Sequence, residues 1–107
     1  MYLKIGATTY KVVPEPDPRT EKGNECGGNI SFQDSIIKVD SNYSKQKQMQ
    51  ILMHECLHGL WNYLDIVDDE HITIKLANGF YGFILDNKEY IKDIMKEDEK
   101  IKRQGTT

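Results

Sequence analysis

The first β-forming stretch of the chain lies in residues 2–13, which are rich in β-branched and aromatic side chains. This pattern predicts one strand, or two short strands separated at Gly6. Three prolines at alternate positions follow, beginning at Pro14. Because proline is excluded from a helix interior, we expect an extended loop that continues as far as Gly28.

A second β-forming region follows the loop. Apolar and polar residues alternate over 29–32 and again over 37–40, and residues 33–35 suit a turn between them. This arrangement predicts a β-hairpin. Together with the first region it gives a small antiparallel sheet of two or three strands, which needs a helix against its apolar face for stability.

The longest regular pattern is a helix over about 45–64. Residues 40–44 offer several side chains that can cap its N-terminus. Its apolar residues recur at steps of three and four, which is typical of a helix face directed at the core. The members of this stripe are Met49, Leu52, Met53, Cys56, Leu60 and Leu64.

Two more helices are predicted after position 65. Asp68 or Asp69 can cap the first of them, and Asn87 is a suitable end for it. Residues 88–103 are highly charged but carry a few apolar residues on one side. We therefore expect a solvated C-terminal helix there, with a frayed end at 105–107, and with docking to a partner as the alternative role of the helix.

Composition narrows the class of protein. The chain has 107 residues, with 14 Lys and Arg against 17 Asp and Glu, and no basic block, which argues against nucleic-acid binding. No apolar run is long enough to span a membrane, and nothing resembles a secretion signal. Two cysteines make no disulfide framework. We expect one cytoplasmic α+β domain over 1–107, with its core at about 29–87 and little room for a substrate cleft.

The chemistry is concentrated in one motif, His54-Glu55-Cys56-Leu57-His58, which has the form H-E-x-x-H. On a helix, residues four apart lie one turn apart on one face, so His54 and His58 can chelate one metal ion. Glu55 is displaced by about 100° around the axis, so it can reach a water on that ion rather than the ion itself. Two imidazoles and a carboxylate are typical of zinc.

The third metal ligand has several candidates. Trp61 and Leu64 exclude the longer H-E-x-x-H-x-x-G-x-x-H pattern, and Asp65 lies about 10 Å beyond His58 along the axis. The remaining candidates are Asp68, Asp69, Glu70, His71 and Asp86.

Helical phase favours Glu70 over His71. Glu70 is in register with Thr73 and Ala77 on the inward face of the second helix, whereas His71 is in register with more polar positions. An inward side chain can meet the first helix. We therefore predict Glu70 as the third ligand and keep His71 as the alternative.

The sequence resembles the small phage- and prophage-encoded zincins related to the ImmA/IrrE-type metallopeptidases. The resemblance covers about 29–87. It is carried by residues 51–58, by Glu70 after an acidic turn, and by the run Leu76-Ala77-Asn78-Gly79-Phe80-Tyr81 that continues to Asn87. It implies that His54, His58 and Glu70 bind Zn²⁺, that Glu55 is the catalytic carboxylate, and that the substrate is a protein or peptide in a bacterial host cell.

A peptidase of this kind needs one further donor for the oxyanion of its reaction. Tyr81 lies on the Glu70 face and is our candidate, with Tyr63 and Tyr43 as alternatives. Trp61 lies on the histidine face, where it packs or forms a wall of the site.

Two other interpretations remain open. In one, both histidines are core or surface residues that bind no metal ion. In the other, the zinc site belongs to a regulatory or interaction module without turnover, although such a module has no use for Glu55.

The two cysteines have different expected roles. Cys56 lies on the core stripe and is expected to be a buried thiol. Cys26, in the glycine-rich loop, is the one thiol that can occupy an open zinc position.

Overall fold

The computed structural model describes residues 1–20, 22–23 and 26–105. It has an α+β fold, which confirms the predicted class. The strands are β1 (Tyr2–Ile5), β2 (Thr8–Glu15), β3 (Gly28–Ser31) and β4 (Ile36–Asp40). The helices are α1 (Lys45–Leu64), α2 (Glu70–Asp86) and α3 (Lys88–Gln104).

The strands form one sheet in the order β1-β2-β4-β3. The predicted β3–β4 hairpin is confirmed, and β1–β2 is a second antiparallel pair. The expectation of an antiparallel sheet of two or three strands is wrong, because the sheet in the described residues has four strands and β2 pairs with β4 in parallel. The connection after β2 carries the chain to the far edge, and the hairpin then returns β4 to the place beside β2. Alternation of side chains is the same in both kinds of pair, so it does not reveal this arrangement.

The N-terminal region contains two strands with Gly6 in the turn between them, at a φ of +62°. β2 continues through Pro14, which we had assigned to the loop. β1 pairs with β2 as far as Lys11, and the N–H of Val12 still donates to the carbonyl oxygen of Met1, so among the described residues β2 has one free edge after Val12. A proline, which lacks an N–H, is tolerated at such an edge.

Helix α1 covers one face of the sheet and has the predicted bounds. The core joins it to the strands through Ile5, Tyr10, Ile37, Val39 and Leu52. The predicted stripe fails at Leu64, which is 53% exposed because it lies in the last turn, where α1 ends. Asp65 then ends α1 in the left-handed conformation, at a φ of +57°.

Helix α2 packs on α1 and has two buried side chains, Thr73 and Ala77. Helix α3 contacts α2 and no other element in the described part of the chain. It has no buried residue, as expected for a solvated helix. Of the expected frayed end, Thr106 and Thr107 lie outside the described residues. Across the described ranges, every helix is too short or too polar to cross a membrane.

Candidate metal centre

Helix α1 aims both histidines of the motif at one point. The hydroxyl of Ser44 accepts a hydrogen bond from the backbone N–H of Lys47 at 3.2 Å and so starts the helix. Ten residues into α1, His54 and His58 lie one turn apart, with their Nε2 atoms 3.1 Å from each other. Two nitrogen atoms at this separation can share one ion.

The first residue of α2 completes the group. Oε1 of Glu70 lies 2.8 Å from Nε2 of His54, and Oε2 lies 3.0 Å from Nε2 of His58. Asp69 fixes where α2 begins, because its Oδ1 accepts hydrogen bonds from the N–H groups of His71 and Ile72 at 2.9 and 3.3 Å. One ligand atom from each of His54, His58 and Glu70 lies within 4.8 Å of the others, so these residues can hold a metal ion.

Two of the other candidates for third ligand, His71 and Asp86, lie away from the two histidines. The side chain of His71 is exposed, and in the described residues it is outside the group that can hold an ion. Asp86 lies at the opposite end of α2, about 24 Å along the axis from Glu70. The structure thus brings Glu70, rather than His71, to the two histidines.

Asp68, a candidate third ligand in the sequence analysis, instead contacts the other ring nitrogen of His58, a role that the sequence did not predict. Its carboxylate oxygens lie 2.9 and 2.7 Å from Nδ1 of His58. When Nδ1 carries the proton and donates it to this carboxylate, Nε2 is unprotonated. Nε2 faces Glu70, and its lone pair is then available to bind a metal ion. Asp68 therefore orients a ligand instead of serving as one. The sequence signal was its place in the acidic turn before Glu70.

Glu55 lies beside the group on the inner side of α1 and is only 6% exposed. Burial raises the pKa of its carboxyl to about 7 in the metal-free protein; the nearby His58 opposes this rise, and Glu70 and Asp68 add to it. A carboxyl with a pKa near neutrality can both accept and donate a proton. A bound cation would shift the equilibrium toward the carboxylate.

An open cleft of about 380 Å³ runs along this group. Residues 26–28 form one wall and α2 forms the other, with α1 as the floor. The lining residues are Cys26, Gly27, Gly28, Lys47, Gln50, Ile51, His54, Glu55, Glu70, Ile74, Ala77 and Asn78. The expectation that so short a chain has little room for a cleft is therefore wrong, because α2 lies against only part of α1.

Gly28 allows β3 to approach α1 closely at this cleft. A Cβ atom at this position would lie 2.7 Å from Cγ2 of Ile51 and 2.8 Å from the carbonyl oxygen of Lys38. Both distances are too short for a real side chain, so the wall needs glycine here.

The tyrosines considered as oxyanion donors do not line the cleft. Tyr81 lies about 16 Å from Glu70 along α2. Tyr63 packs against Gly6, and Tyr43 lines a separate cavity beside Asp40. The role assigned to Tyr81 stays a prediction.

Trp61 joins α1 to α2. Its Nε1–H donates to the hydroxyl of Thr73 at 2.9 Å, and that hydroxyl donates to the carbonyl oxygen of Asp69 at 2.8 Å. Thr73 is completely buried. The chain of hydrogen bonds therefore ties α1 to the residue that precedes Glu70.

The two thiols differ in position. Cys26 lines the cleft, but its Sγ donates to the carbonyl oxygen of Pro18 at 3.4 Å. Cys56 lies on α1, and burial raises the pKa of its thiol to about 11. It is therefore a thiol at neutral pH and contributes packing.

Comparison with known proteins assigns the chain to no family. It matches no family profile and no solved structure. It is 28% identical over 80 residues to the serine/threonine-protein kinase stk11 of Xenopus laevis, and this segment is 74% of the chain but 18% of that kinase. The chain thus spans less than a fifth of this relative. It has none of the kinase signatures G-x-G-x-x-G, H-R-D and D-F-G, so the likeness gives no reason to expect phosphoryl transfer.

Proposed function

We propose that this chain is a zinc-dependent metallopeptidase of the small zincin type. The observation that carries the proposal is the convergence of His54, His58 and Glu70 beside the buried carboxyl of Glu55, in an open cleft. A purely structural zinc site has four protein ligands and no cleft, whereas a catalytic site has three and leaves a position for water. The three-residue group matches the second case.

Zinc is the ion that fits this group best. Two imidazoles and one carboxylate are a common catalytic zinc set, whereas magnesium and calcium prefer oxygen ligands alone. Asp68, hydrogen-bonded to Nδ1 of His58, supplies the carboxylate–histidine pair that accompanies many zinc ligands.

The proposed reaction is hydrolysis of a peptide bond. Zinc held by His54, His58 and Glu70 would supply Lewis acidity, which would acidify a water and polarise the carbonyl group to be cleaved. Glu55 accepts the proton of the attacking water and then donates it to the nitrogen of the leaving amine. Its burial keeps bulk water from competing for that proton. Gly28 keeps the cleft wall free of a side chain next to Glu55.

The resemblance to phage-encoded zincins supports the remaining parts of the proposal. These are a protein or peptide substrate, a phage or prophage origin, and action in the cytoplasm of a bacterial host. No nucleic acid or membrane is proposed as a partner.

Replacing Glu55 with glutamine tests the activity. Glu55→Gln should retain zinc. Its rate of cleavage of a mixed library of fluorogenic peptides should fall about 100-fold or more, since the general base is removed. Glu89→Gln, at an exposed carboxylate on α3, is the matched control and should cleave normally. Equal cleavage by Glu55→Gln would contradict the role of Glu55. Zinc retention by a wild-type protein that cleaves no peptide would favour the binding-module alternative.

A further inference from the structure

Helix α2 is apolar around most of its circumference, yet most of it is open to solvent. Its charged residues are Glu70, Lys75 and Asp86, and it also carries the titratable His71. Only Thr73 and Ala77 are buried. A helix that is apolar on nearly all sides is normally enclosed by protein. This helix therefore has more apolar surface than α1 can cover.

The uncovered surface forms an apolar groove of about 290 Å³ beside the buried strip of α2. It is lined by Leu76, Gly79, Phe80 and Phe83. Ile72 extends the same face by one turn and is 52% exposed. The groove is separate from the metal cleft, whose α2 wall is formed by Ile74, Ala77 and Asn78.

Helix α3 continues this apolar face. Tyr90 contacts Phe83 edge to face, with ring centroids 6.3 Å apart. Ile94, Met95 and Ile101 follow at helical spacing, and each is exposed. The charged residues of α3 pair mainly with each other along the helix, as Glu97 does with Lys100 at 3.4 Å.

The two apolar faces cannot pack on each other within one chain. Asn87 alone separates α2 from α3, whereas antiparallel helices need a connection of about two to five residues. α3 accordingly extends away, and the molecule is 50 Å long with a radius of gyration of 15.6 Å, against about 13 Å for a compact chain of this length.

The apolar residues of this face are spaced similarly along the sequence before and after Asn87. Ile72 and Ile101 lie fifteen and fourteen positions away, and Phe80 and Ile94 lie seven away on either side. Gly79 lies eight positions before Asn87, and a Cβ atom there would have no other atom within 4 Å. Met95, which has a long side chain, lies eight positions after Asn87. A two-fold axis beside Asn87 would therefore set each of these positions opposite its counterpart in a second copy.

We propose that two copies of this chain associate through this face, with α3 of each copy packed antiparallel in the α2 groove of the other. The two-fold axis passes beside Asn87. This inference does not depend on the proposed peptidase activity, since the groove contains no residue of the metal cleft.

The exposed area is sufficient for such a dimer. Seven large side chains on the face are between 46% and 65% exposed: Ile72, Phe80, Phe83, Tyr90, Ile94, Met95 and Ile101. At about 150–250 Å² for a large side chain, they present on the order of 700 Å² of apolar surface. A specific protein–protein interface of standard size buries about 800 Å² per partner, and homodimer interfaces are about 65% apolar.

The mass in solution tests the dimer. We expect sedimentation equilibrium of the wild-type protein to give twice the 12.4 kDa of the chain. Phe83→Gln combined with Ile94→Gln should give the monomer mass. Lys75→Gln combined with Lys96→Gln, on the polar faces of the same helices, should stay dimeric. A wild-type monomer from micromolar to millimolar concentration would overturn the proposal and assign the face to another protein. A dimer that survives the first pair of changes would overturn it as well.

Cross-linking tests the pairing even if the glutamine variants fold poorly. Chains with Phe80→Cys are mixed with chains with Ile94→Cys and then oxidised. We expect a disulfide between positions 80 and 94 of different chains, identified by peptide mapping. A mixture of Lys75→Cys and Lys96→Cys chains is the control and should give only background. Equal yields from the two mixtures would overturn the arrangement.

Discussion

His58 has a partner at each nitrogen atom of its ring, Asp68 at Nδ1 and Glu70 at Nε2. The spacing of the motif was enough to place His58 beside His54, and helical phase was enough to choose Glu70 over His71. The orienting role of Asp68 could not be predicted, because that residue lies in the turn between two helices. Periodicity gives the side of a helix that a residue occupies, but it says nothing of how a turn folds back.

The first prediction concerns this orienting residue. Asp68→Asn should weaken zinc binding about 10- to 100-fold, because loss of such a partner leaves the ligand ring free to rotate. Asp65→Asn is the matched control, since it removes the same charge at a left-handed position that asparagine tolerates. Isothermal titration of the metal-free proteins measures both affinities. Unchanged affinity in Asp68→Asn would show that the ring is held by packing alone.

Helices α1 and α2 were predictable because each has a local signal at both ends. Ser44 and Asp69 cap α1 and α2, and the apolar spacing between these points is regular. The sheet was only partly predictable. The turn before Ile36 predicts the β3–β4 hairpin, and Gly6 marks the break between β1 and β2. The parallel pairing of β2 with β4 joins segments far apart in the sequence, and no local pattern reveals it.

The second prediction tests the contact between α1 and α2. Thr73→Val should lower the free energy of unfolding by about 1–3 kcal/mol, because the N–H of Trp61 and the carbonyl of Asp69 lose a buried partner. Thr9→Val, at an exposed position of β2, should change it by less than about 0.5 kcal/mol. Urea unfolding checks both, and equal effects would refute a special role for the bridge.

The third prediction uses two glycines. Gly28→Ala should destabilise the protein by about 1–3 kcal/mol, since its Cβ would overlap Ile51 and the carbonyl of Lys38. Gly82→Ala, which meets no atom within 4 Å, should stabilise it by about 1 kcal/mol through helix propensity. The same urea experiment separates them. Loss of stability from Gly82→Ala, or none from Gly28→Ala, would contradict the packing described.

At the scale of the whole molecule, the candidate metal ligands His54, His58 and Glu70 connect α1 to α2. The core joins the sheet to α1, whereas α2 adds only two buried side chains to the assembly. An ion held by His54, His58 and Glu70 would bind both helices at once and so would stabilise the docking of α2. A ligand that binds only the folded state at 100 times its Kd adds about 2.7 kcal/mol to the free energy of unfolding.

Zinc titration of the metal-free protein, followed by calorimetry and by urea unfolding, tests the central claim most directly. We expect one zinc ion per chain, a rise in unfolding free energy with zinc, and severe loss of binding in His54→Ala and Glu70→Gln. Glu89→Gln, in the first turn of α3, should bind as the wild type does. Absence of zinc binding in the wild-type protein, or undiminished binding in Glu70→Gln, would contradict the account.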